Sequence, residues 1–261
     1  MITPEAPAPR YVISPDNLRI ATYEFGDPEA PTVLAVHGFA SSALVNWHQT
    51  GWVRDLLRAG FHVIAIDQRG HGASRKPQRP DAYSMDLLVR DVLQVLDTFM
   101  LDEVDYVGYS LGARVGWQAA STMPSRITRA VLGGIPDGDP LTRFRVDQAR
   151  AFIADGTPVA DRLTGGYLTM AGGIPGNDLG ALVSLVEGMR GSPQPHAGNA
   201  PEQRTLFATG SEDGILAASR TLAEATPNGS FFEIAGRNHF NAPTARTFRD
   251  AAIDFLGPAT S

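Results

Sequence analysis

Short apolar segments that alternate with amphipathic helical patterns constrain the fold of this chain more than any other feature. Runs of four or five residues without polar alternation are typical of strands buried on both faces of a parallel sheet. Such runs, some of them shorter, occupy Thr32–Val36 and residues 63–66, 104–107, 130–132, 205–208 and 231–234. A helical pattern over residues 84–99 separates two of them, with a predicted N-cap at Ser84. The alternation predicts right-handed β-α-β crossovers, and therefore an α/β fold with a mostly parallel sheet.

Two further parts of the chain depart from this alternation. Residues 11–13 and 18–25 form two strand patterns around a Ser-Pro-Asp-Asn turn, which predicts a hairpin at one edge of the sheet. Between Gly133 and Thr205 three helical patterns, residues 141–155, 158–168 and 178–190, replace the strands. We therefore predict a core over residues 1–136 and 204–261, interrupted by a helical cap over residues 137–203. Glycines between residues 165 and 176 favour a mobile lid there.

Composition limits the classes of partner. The chain has 261 residues, a formal net charge of −6 and no long run of lysine or arginine, which argues against nucleic-acid binding. It has no apolar signal segment and no run of about 18 apolar residues, so we expect a soluble, cytoplasmic protein without a membrane partner. The chain has no cysteine, and its histidines lack metal-ligand spacing. We predict neither a metal nor another cofactor, and the oligomeric state stays open.

The motif Gly108-Tyr109-Ser110-Leu111-Gly112 lies between a predicted strand and a predicted helix. A serine at such a sharp corner is the signature of a nucleophile elbow. Side chains two residues before and after the serine would collide with the neighbouring strand or helix, and glycine removes that collision. The context favours catalysis by Ser110 over an ordinary glycine-bracketed turn.

A serine hydroxyl needs a base, and the base needs an acid that orients it. When a nucleophile occupies a strand-to-helix elbow, the acid and then the histidine follow in chain order. His239 follows the last predicted strand, and Asp213 follows the strand before it, so we predict these as base and acid. Glu212 and Asp137 remain alternative acids, and a helix N-cap is the alternative role of Asp213.

Attack on a carbonyl places negative charge on the substrate oxygen, and two preorganised backbone amides can stabilise that charge. We predict the amide of Leu111, directly after the nucleophile, and that of Phe39, in the loop after Thr32–Val36. Gly38 allows this loop to approach the substrate, and His37 is expected to bond its own loop. The glycine-rich segment after residue 66 matches neither a dinucleotide nor a Walker motif, so Asp67 and Arg69 are expected to tie it down.

Taken together, these motifs resemble the α/β-hydrolase superfamily, in particular its serine esterase-like branch. The resemblance covers nearly the whole chain outside the predicted cap. It implies an eight-stranded, mostly parallel sheet flanked by helices, with nucleophile Ser110, acid Asp213, base His239 and oxyanion donors Phe39 and Leu111. Many relatives have glycine before the base, whereas this chain has Arg237-Asn238-His239.

The leading hypothesis is a serine hydrolase that cleaves carboxylic esters of small to medium, mostly apolar molecules through an acyl-serine intermediate. Alternatives are a cofactor-free perhydrolase or haloperoxidase, a lactone, thioester or carbon–carbon bond hydrolase, and a non-catalytic ligand sensor. A serine at the elbow argues against dehalogenases and epoxide hydrolases, whose related mechanism uses aspartate. Substrate-binding candidates are the large apolar residues Trp47, Leu141, Phe144, Met170, Met189 and Phe240.

Overall fold

The computed structural model describes residues 5–136 and 142–257, which contain a single eight-stranded sheet. Every predicted apolar run lies within one of its strands, except that Leu18 precedes the second strand. The strands are β1 Arg10–Ile13, β2 Arg19–Phe25, β3 Thr32–Val36, β4 His62–Ile66, β5 Val104–Tyr109, β6 Ile127–Gly133, β7 Arg204–Gly210 and β8 Gly229–Ile234.

Helices connect the strands. A five-residue π-helix, Leu44–His48, follows β3. The α-helices are α1 Trp52–Arg58, α2 Met85–Thr98, α3 Leu111–Thr122, α4 Val146–Asp155, α5 Arg162–Gly172, α6 Leu179–Gly188, α7 Leu216–Glu224 and α8 Arg246–Leu256. Within the described ranges, no helix is both long enough and apolar enough to cross a membrane.

The strand order is β1-β2-β4-β3-β5-β6-β7-β8, and only β2 runs against the other strands. The predicted edge hairpin and the mostly parallel sheet are both confirmed. From β3 the chain moves to β4 on one side and later to β5 on the other, so β3 and β5 are neighbours at a point where the order reverses. Ligands of open α/β sheets bind at the carboxyl ends of the strands at such a point.

The sheet has a packed layer on each face because successive strand residues point to opposite sides. Leu34 and Val36 of β3 pack with α2 and α3, whereas Val33 and Ala35 pack with Trp52 of α1 and with α8. This two-sided burial explains the continuous apolar runs. Ser84 caps α2 as predicted, since its side chain accepts a hydrogen bond from the Leu87 amide.

The helix predicted over residues 158–168 is shifted in the structure. It begins at Arg162, where Asp161 caps it by accepting a hydrogen bond from the Thr164 amide, and it continues to Gly172. Gly165 and Gly166 lie inside α5, and Gly172, beyond the end of the predicted helix, is its last residue. Burial of Leu168 and Ala171 on one face of the helix offsets the poor helical propensity of these glycines.

Helices α4, α5 and α6 lie between β6 and β7 and share a small apolar core of their own, built around Phe144, Leu168 and Val183. They also contact the loop after β3. Phe39 packs against this core, and the Asn177 side chain donates a hydrogen bond of 2.8 Å to the carbonyl of Ala40. The three helices are thus attached to the carboxyl edge of the sheet.

Candidate active site

Ser110 occupies the corner between β5 and α3 with a left-handed backbone conformation, φ 52° and ψ −112°. This conformation is costly for a residue with a Cβ atom and persists only when the surroundings enforce it. A hydrogen bond of 2.8 Å from the Ser110 amide to the carbonyl of Gly133 on β6 helps to hold the corner. The strained bend directs the hydroxyl away from the sheet.

The two glycines of the motif are required by close packing. A Cβ atom on Gly108 would lie 2.5 Å from the carbonyl oxygen of Gly112. A Cβ atom on Gly112 would lie 2.0 Å from the carbonyl oxygen of Val36, at the end of β3. The first turn of α3 therefore rests directly on β3, which brings the serine next to the loop that follows that strand.

Three side chains from distant parts of the sequence form a continuous hydrogen-bonded chain. The Nε2 atom of His239 lies 3.1 Å from the Ser110 hydroxyl, and its Nδ1 atom lies 2.8 Å from Oδ2 of Asp213. Because the carboxylate accepts the Nδ1 proton, Nε2 is left as an acceptor that faces the serine. The Asp213 side chain is 5% exposed and that of His239 is 18% exposed.

Asp213 and Glu212, the nearest alternative acid, differ in burial and in contacts. Glu212 is exposed to solvent, whereas Asp213 is buried and contacts the histidine. The second oxygen of Asp213 accepts a hydrogen bond from the Ile215 amide, one residue before α7 begins. The carboxylate thus also serves the turn before α7. Asp137 lies outside the described residues.

The residues before and after the histidine build its loop. Asn238 accepts hydrogen bonds from the amides of Phe240 and Asn241, and Asn241 in turn accepts one from the Asn238 amide. The asparagine that replaces the glycine of many relatives is therefore a structural part of the turn. The Tyr109 hydroxyl donates a 2.6 Å hydrogen bond to the carbonyl of His239.

The loop after β3 passes close to the serine. A Cβ atom on Gly38 would lie 3.4 Å from the Ser110 Cβ, so the loop reaches van der Waals distance of this serine. Leu111 is the first residue of α3, where a backbone amide has no acceptor within its own helix. Phe39 and Leu111 both line the cavity that contains Ser110.

Buried polar side chains hold this loop in place. His37 contacts its own loop, as predicted, through a 2.7 Å hydrogen bond from Nδ1 to the Gly38 carbonyl. His71 accepts a hydrogen bond from the Ala40 amide, and Asp67 accepts bonds from the amides of Ala43 and Ala73. Burial lowers the pKa of His37 and lowers that of His71 far below its ordinary value. Both imidazoles are therefore neutral components of the scaffold.

Arg69 ties the glycine-rich segment to the rest of the core, also as predicted. Its buried guanidinium binds the carboxylates of Asp16 and Asp91, each through two hydrogen bonds, and donates another to the Ala82 carbonyl. These contacts raise the pKa of Arg69, although burial opposes them. The segment is thus fixed by two carboxylates and a backbone carbonyl of the protein itself.

Comparison with known proteins agrees with this architecture. A family model described as the α/β hydrolase fold matches residues 31–158. An enol-lactonase from Burkholderia xenovorans LB400 superposes with a TM-score of 0.75 at 23% identity, over 95% of this chain and 99% of that one. A hydrolase from Pseudomonas aeruginosa PA01 gives 0.74 at 22% identity, over 95% and 98%. The chain belongs to the α/β-hydrolase superfamily.

A curated relative in this superfamily is epoxide hydrolase A of Mycobacterium tuberculosis. The two chains are 33% identical over 147 residues, which are 56% of this chain and 44% of the relative. The chain thus spans less than half the length of this relative.

Two cavities flank the hydrogen-bonded chain of this α/β hydrolase. The first, here called the serine cavity, has a volume of about 280 Å³ and contains Ser110. The second, here called the arginine cavity, has a volume of about 690 Å³ and is lined by Arg143 and Arg162. The four residues that line both cavities are Tyr167, Met170, His239 and Phe240. The two cavities are therefore adjacent.

The cavity walls agree only in part with the predicted substrate-binding residues. Met170 and Phe240 line both cavities. Three other candidates line neither cavity, because Trp47 packs against Trp52 under the sheet, Phe144 lies in the core of α4 to α6, and Met189 lies in the main core. We therefore remove these three from the proposed pocket. Leu141 lies outside the described residues.

Of the helix face that lines the site, sequence reasoning identified only Met170. Leu163, Tyr167, Met170 and Ile174 follow one another at helical spacing along and just beyond α5, and each lines at least one cavity. The stripe at i, i+4, i+7 and i+11 is visible in the sequence. It was obscured because the glycines between its members indicated a loop.

Proposed function

We propose that this protein is a carboxylic ester hydrolase that acts through an acyl-serine intermediate. The observation that carries the proposal is the hydrogen-bonded chain from Ser110 through His239 to Asp213 at the wall of the serine cavity. A serine, a histidine and a carboxylate in this order of contact constitute the machinery of nucleophilic acyl transfer. The strained backbone at Ser110 supports the same role, since such strain concentrates at functional sites.

The proposal gives each step to one residue. The Ser110 oxygen attacks the ester carbonyl while Nε2 of His239 takes the hydroxyl proton, and Asp213 stabilises the imidazolium that forms. The amides of Phe39 and Leu111 donate to the oxyanion of the tetrahedral intermediate. His239 then protonates the departing alcohol, which leaves an acyl-serine. Water, deprotonated by His239, attacks that acyl group and releases the carboxylic acid.

The serine cavity favours a small to medium, mostly apolar group near the scissile bond. Its wall contains Val45, Met170, Ile174 and Phe240 beside the catalytic side chains. Helices α4 to α6 act as a cap, because α5 supplies Tyr167 and Met170 to this wall and Ile174 follows directly after α5. The three helices lie within the cap predicted over residues 137–203. Ligand pockets with apolar walls and few convergent polar groups are typical of small-molecule enzymes.

Epoxide hydrolysis, the activity named for the Mycobacterium tuberculosis relative, fits this site poorly on chemical grounds. Attack of a serine oxygen on an epoxide carbon would form an ether, and the site offers no means to hydrolyse an ether. Attack on an ester carbonyl forms a new ester, which the same oxyanion donors and base release. The residue at the elbow therefore favours acyl transfer.

The proposal is tested with p-nitrophenyl esters of increasing acyl length and a simple lactone. We expect many turnovers per enzyme, the highest kcat/KM at short or medium acyl length, and a loss of about a thousandfold or more in kcat for Ser110→Ala. The control Ser121→Ala removes a hydroxyl on α3 that bonds only backbone carbonyls away from the cavities, and should retain the activity.

Three outcomes would contradict the proposal. A single slow burst without further turnover indicates a ligand sensor. Peroxide-dependent bromination of monochlorodimedone far faster than ester hydrolysis indicates a perhydrolase. Equal rates for Ser110→Ala and the unmodified enzyme would exclude the acyl-serine route altogether.

A further inference from the structure

The arginine cavity has a charge pattern that ester hydrolysis itself does not require. Arg143, just before α4, and Arg162, the first residue of α5, are the only cationic side chains on its described wall. Both are exposed residues that border the cavity. Two arginines from separate parts of the chain thus border one space of about 690 Å³, which His239 also lines.

The remainder of that wall is mostly apolar, with Leu163, Tyr167, Met170, Ile215 and Phe240. An ionic interaction beside apolar surface is stronger than one in open water because the local dielectric constant is lower. Guanidinium groups bind carboxylates through two parallel hydrogen bonds, so they recognise the shape of the group as well as its charge. The wall therefore suits an organic anion with an apolar body better than an inorganic ion.

Two acidic residues lie on or near this wall. Asp213 is the only acidic residue on the described wall, and its carboxylate is occupied by His239 and by the Ile215 amide. Asp161 precedes Arg162; its carboxylate accepts hydrogen bonds from the amide and the hydroxyl of Thr164, and it also interacts electrostatically with Arg143, which offsets part of the charge of that arginine. An anion in the cavity is thus attracted to the arginines and repelled from the Asp213 end.

The position of the arginine cavity next to Ser110 indicates where a second group of the substrate would lie. The serine and arginine cavities are adjacent, because Tyr167, Met170, His239 and Phe240 line both of them. A molecule with its ester carbonyl at Ser110 therefore has a second compartment next to it. A flexible chain of a few carbon atoms would carry a terminal group from one compartment into the other.

We infer that the arginine cavity binds a carboxylate carried by the substrate, and that the preferred substrates are esters or lactones with a free carboxylate a few carbon atoms from the scissile bond. This inference rests on the proposed ester hydrolysis and adds the chemical class of substrate. Monoesters of dicarboxylic acids are the simplest members of the class.

The test compares p-nitrophenyl monoesters of succinic, glutaric and adipic acids with the same compounds capped as methyl esters, which are neutral and nearly isosteric. For at least one chain length we expect kcat/KM of the anionic ester to exceed that of its neutral counterpart about tenfold, mainly through KM. This ratio should decrease as salt is added, since ions screen charge pairs near the surface.

Matched variants identify the residues. Arg162→Gln and Arg143→Gln should each reduce the ratio of anionic to neutral kcat/KM at least threefold. Arg90→Gln removes the same charge from the exposed face of α2, away from both cavities, and should leave the ratio unchanged. A ratio of one or less for the unmodified enzyme, which needs no variant, would overturn the inference.

Failure of the inference is distinguishable from failure of the proposed function. If neutral esters are hydrolysed in a Ser110-dependent way without preference for the anion, only the carboxylate site is excluded. If no ester is hydrolysed, calorimetric titration of Ser110→Ala with glutarate and adipate decides the question. Binding to Ser110→Ala that weakens when Arg162→Gln is added to it supports the site. No detectable binding to Ser110→Ala overturns it.

Discussion

The hydroxyl of Tyr109 donates a hydrogen bond of 2.6 Å to the backbone carbonyl of His239. The residue directly before the proposed nucleophile thus holds the loop of the proposed base, 130 positions later in the sequence. The two rings also contact each other, with centroids 5.5 Å apart. Because Ser110 and Tyr109 are adjacent, the position of the imidazole relative to the serine is set by a contact built into the elbow itself.

We therefore expect Tyr109→Phe to lower kcat about tenfold while KM changes less than threefold, since loss of one hydrogen bond loosens the imidazole without removing it. Steady-state hydrolysis of the best p-nitrophenyl ester, with circular dichroism to verify folding, measures this. Tyr11→Phe, on the edge strand β1, is the control and should behave as the unmodified enzyme. An unchanged kcat in Tyr109→Phe would show that the contact does not position the base.

The choice of acid gives a second prediction. Asp213→Asn should reduce kcat by about three to four orders of magnitude, because an amide at this position no longer selects the histidine tautomer that accepts the serine proton. Glu212→Gln, one residue earlier and exposed, removes the same charge and should retain kcat within a factor of about two. The reverse result would transfer the role of acid to Glu212.

The sheet and the hydrogen-bonded chain were predictable because both follow from local patterns. Strands buried on two faces give continuous apolar runs. The sharp corner at Ser110 requires glycine at residues 108 and 112, because a Cβ atom at either position would be too close to its neighbours. Chain order then selected Asp213 and His239 from many candidates. Each of these inferences needs only a short segment and the geometric rules of parallel sheets.

The cavity walls were not predictable in the same way. Trp47 and Phe144 are as large and apolar as Phe240, and only tertiary packing decides that the first two are covered while Phe240 is 65% exposed. Helices Leu44–His48 and Trp52–Arg58 gave no sequence prediction, and the first is a π-helix, a rare conformation without a simple pattern. The same large apolar residue types line a binding site and fill a core, so residue type alone does not distinguish the two.

Two glycine substitutions should change stability in opposite directions. Gly112→Ala places a Cβ atom 2.0 Å from the Val36 carbonyl oxygen, so we expect the free energy of unfolding to fall by about 1 to 3 kcal/mol as β3 or α3 shifts. Gly166→Ala meets no atom within 4 Å inside α5, and should raise this free energy by about 0.5 to 1 kcal/mol. Urea unfolding of both variants measures the difference, and two changes of the same sign would contradict it.

The buried histidines His37 and His71, in and beside the loop after β3, make stability depend on pH. Burial holds the pKa of His71 well below its ordinary value of 6.5, and His37 beside it acts in the same direction. Burial also lowers the pKa of His37 itself, although Asp67 opposes the change. Below pH 6.5 the unfolded chain binds protons at both positions and the folded protein does not, so acid favours unfolding.

The free energy of unfolding should therefore be constant in mild alkali and decline as the pH falls below about 6.5, by up to about 1.4 kcal/mol per pH unit for each histidine. Urea unfolding at pH 7.5 and 5.5 measures the decline. His71→Gln keeps an acceptor for the Ala40 amide but cannot be protonated, so it should reduce the difference between the two pH values by about 1 kcal/mol. His196→Gln, on the surface, is the control. If His71→Gln and His196→Gln show the same difference, His71 is protonated in the folded protein, and its neutral role in holding the Ala40 amide must be abandoned.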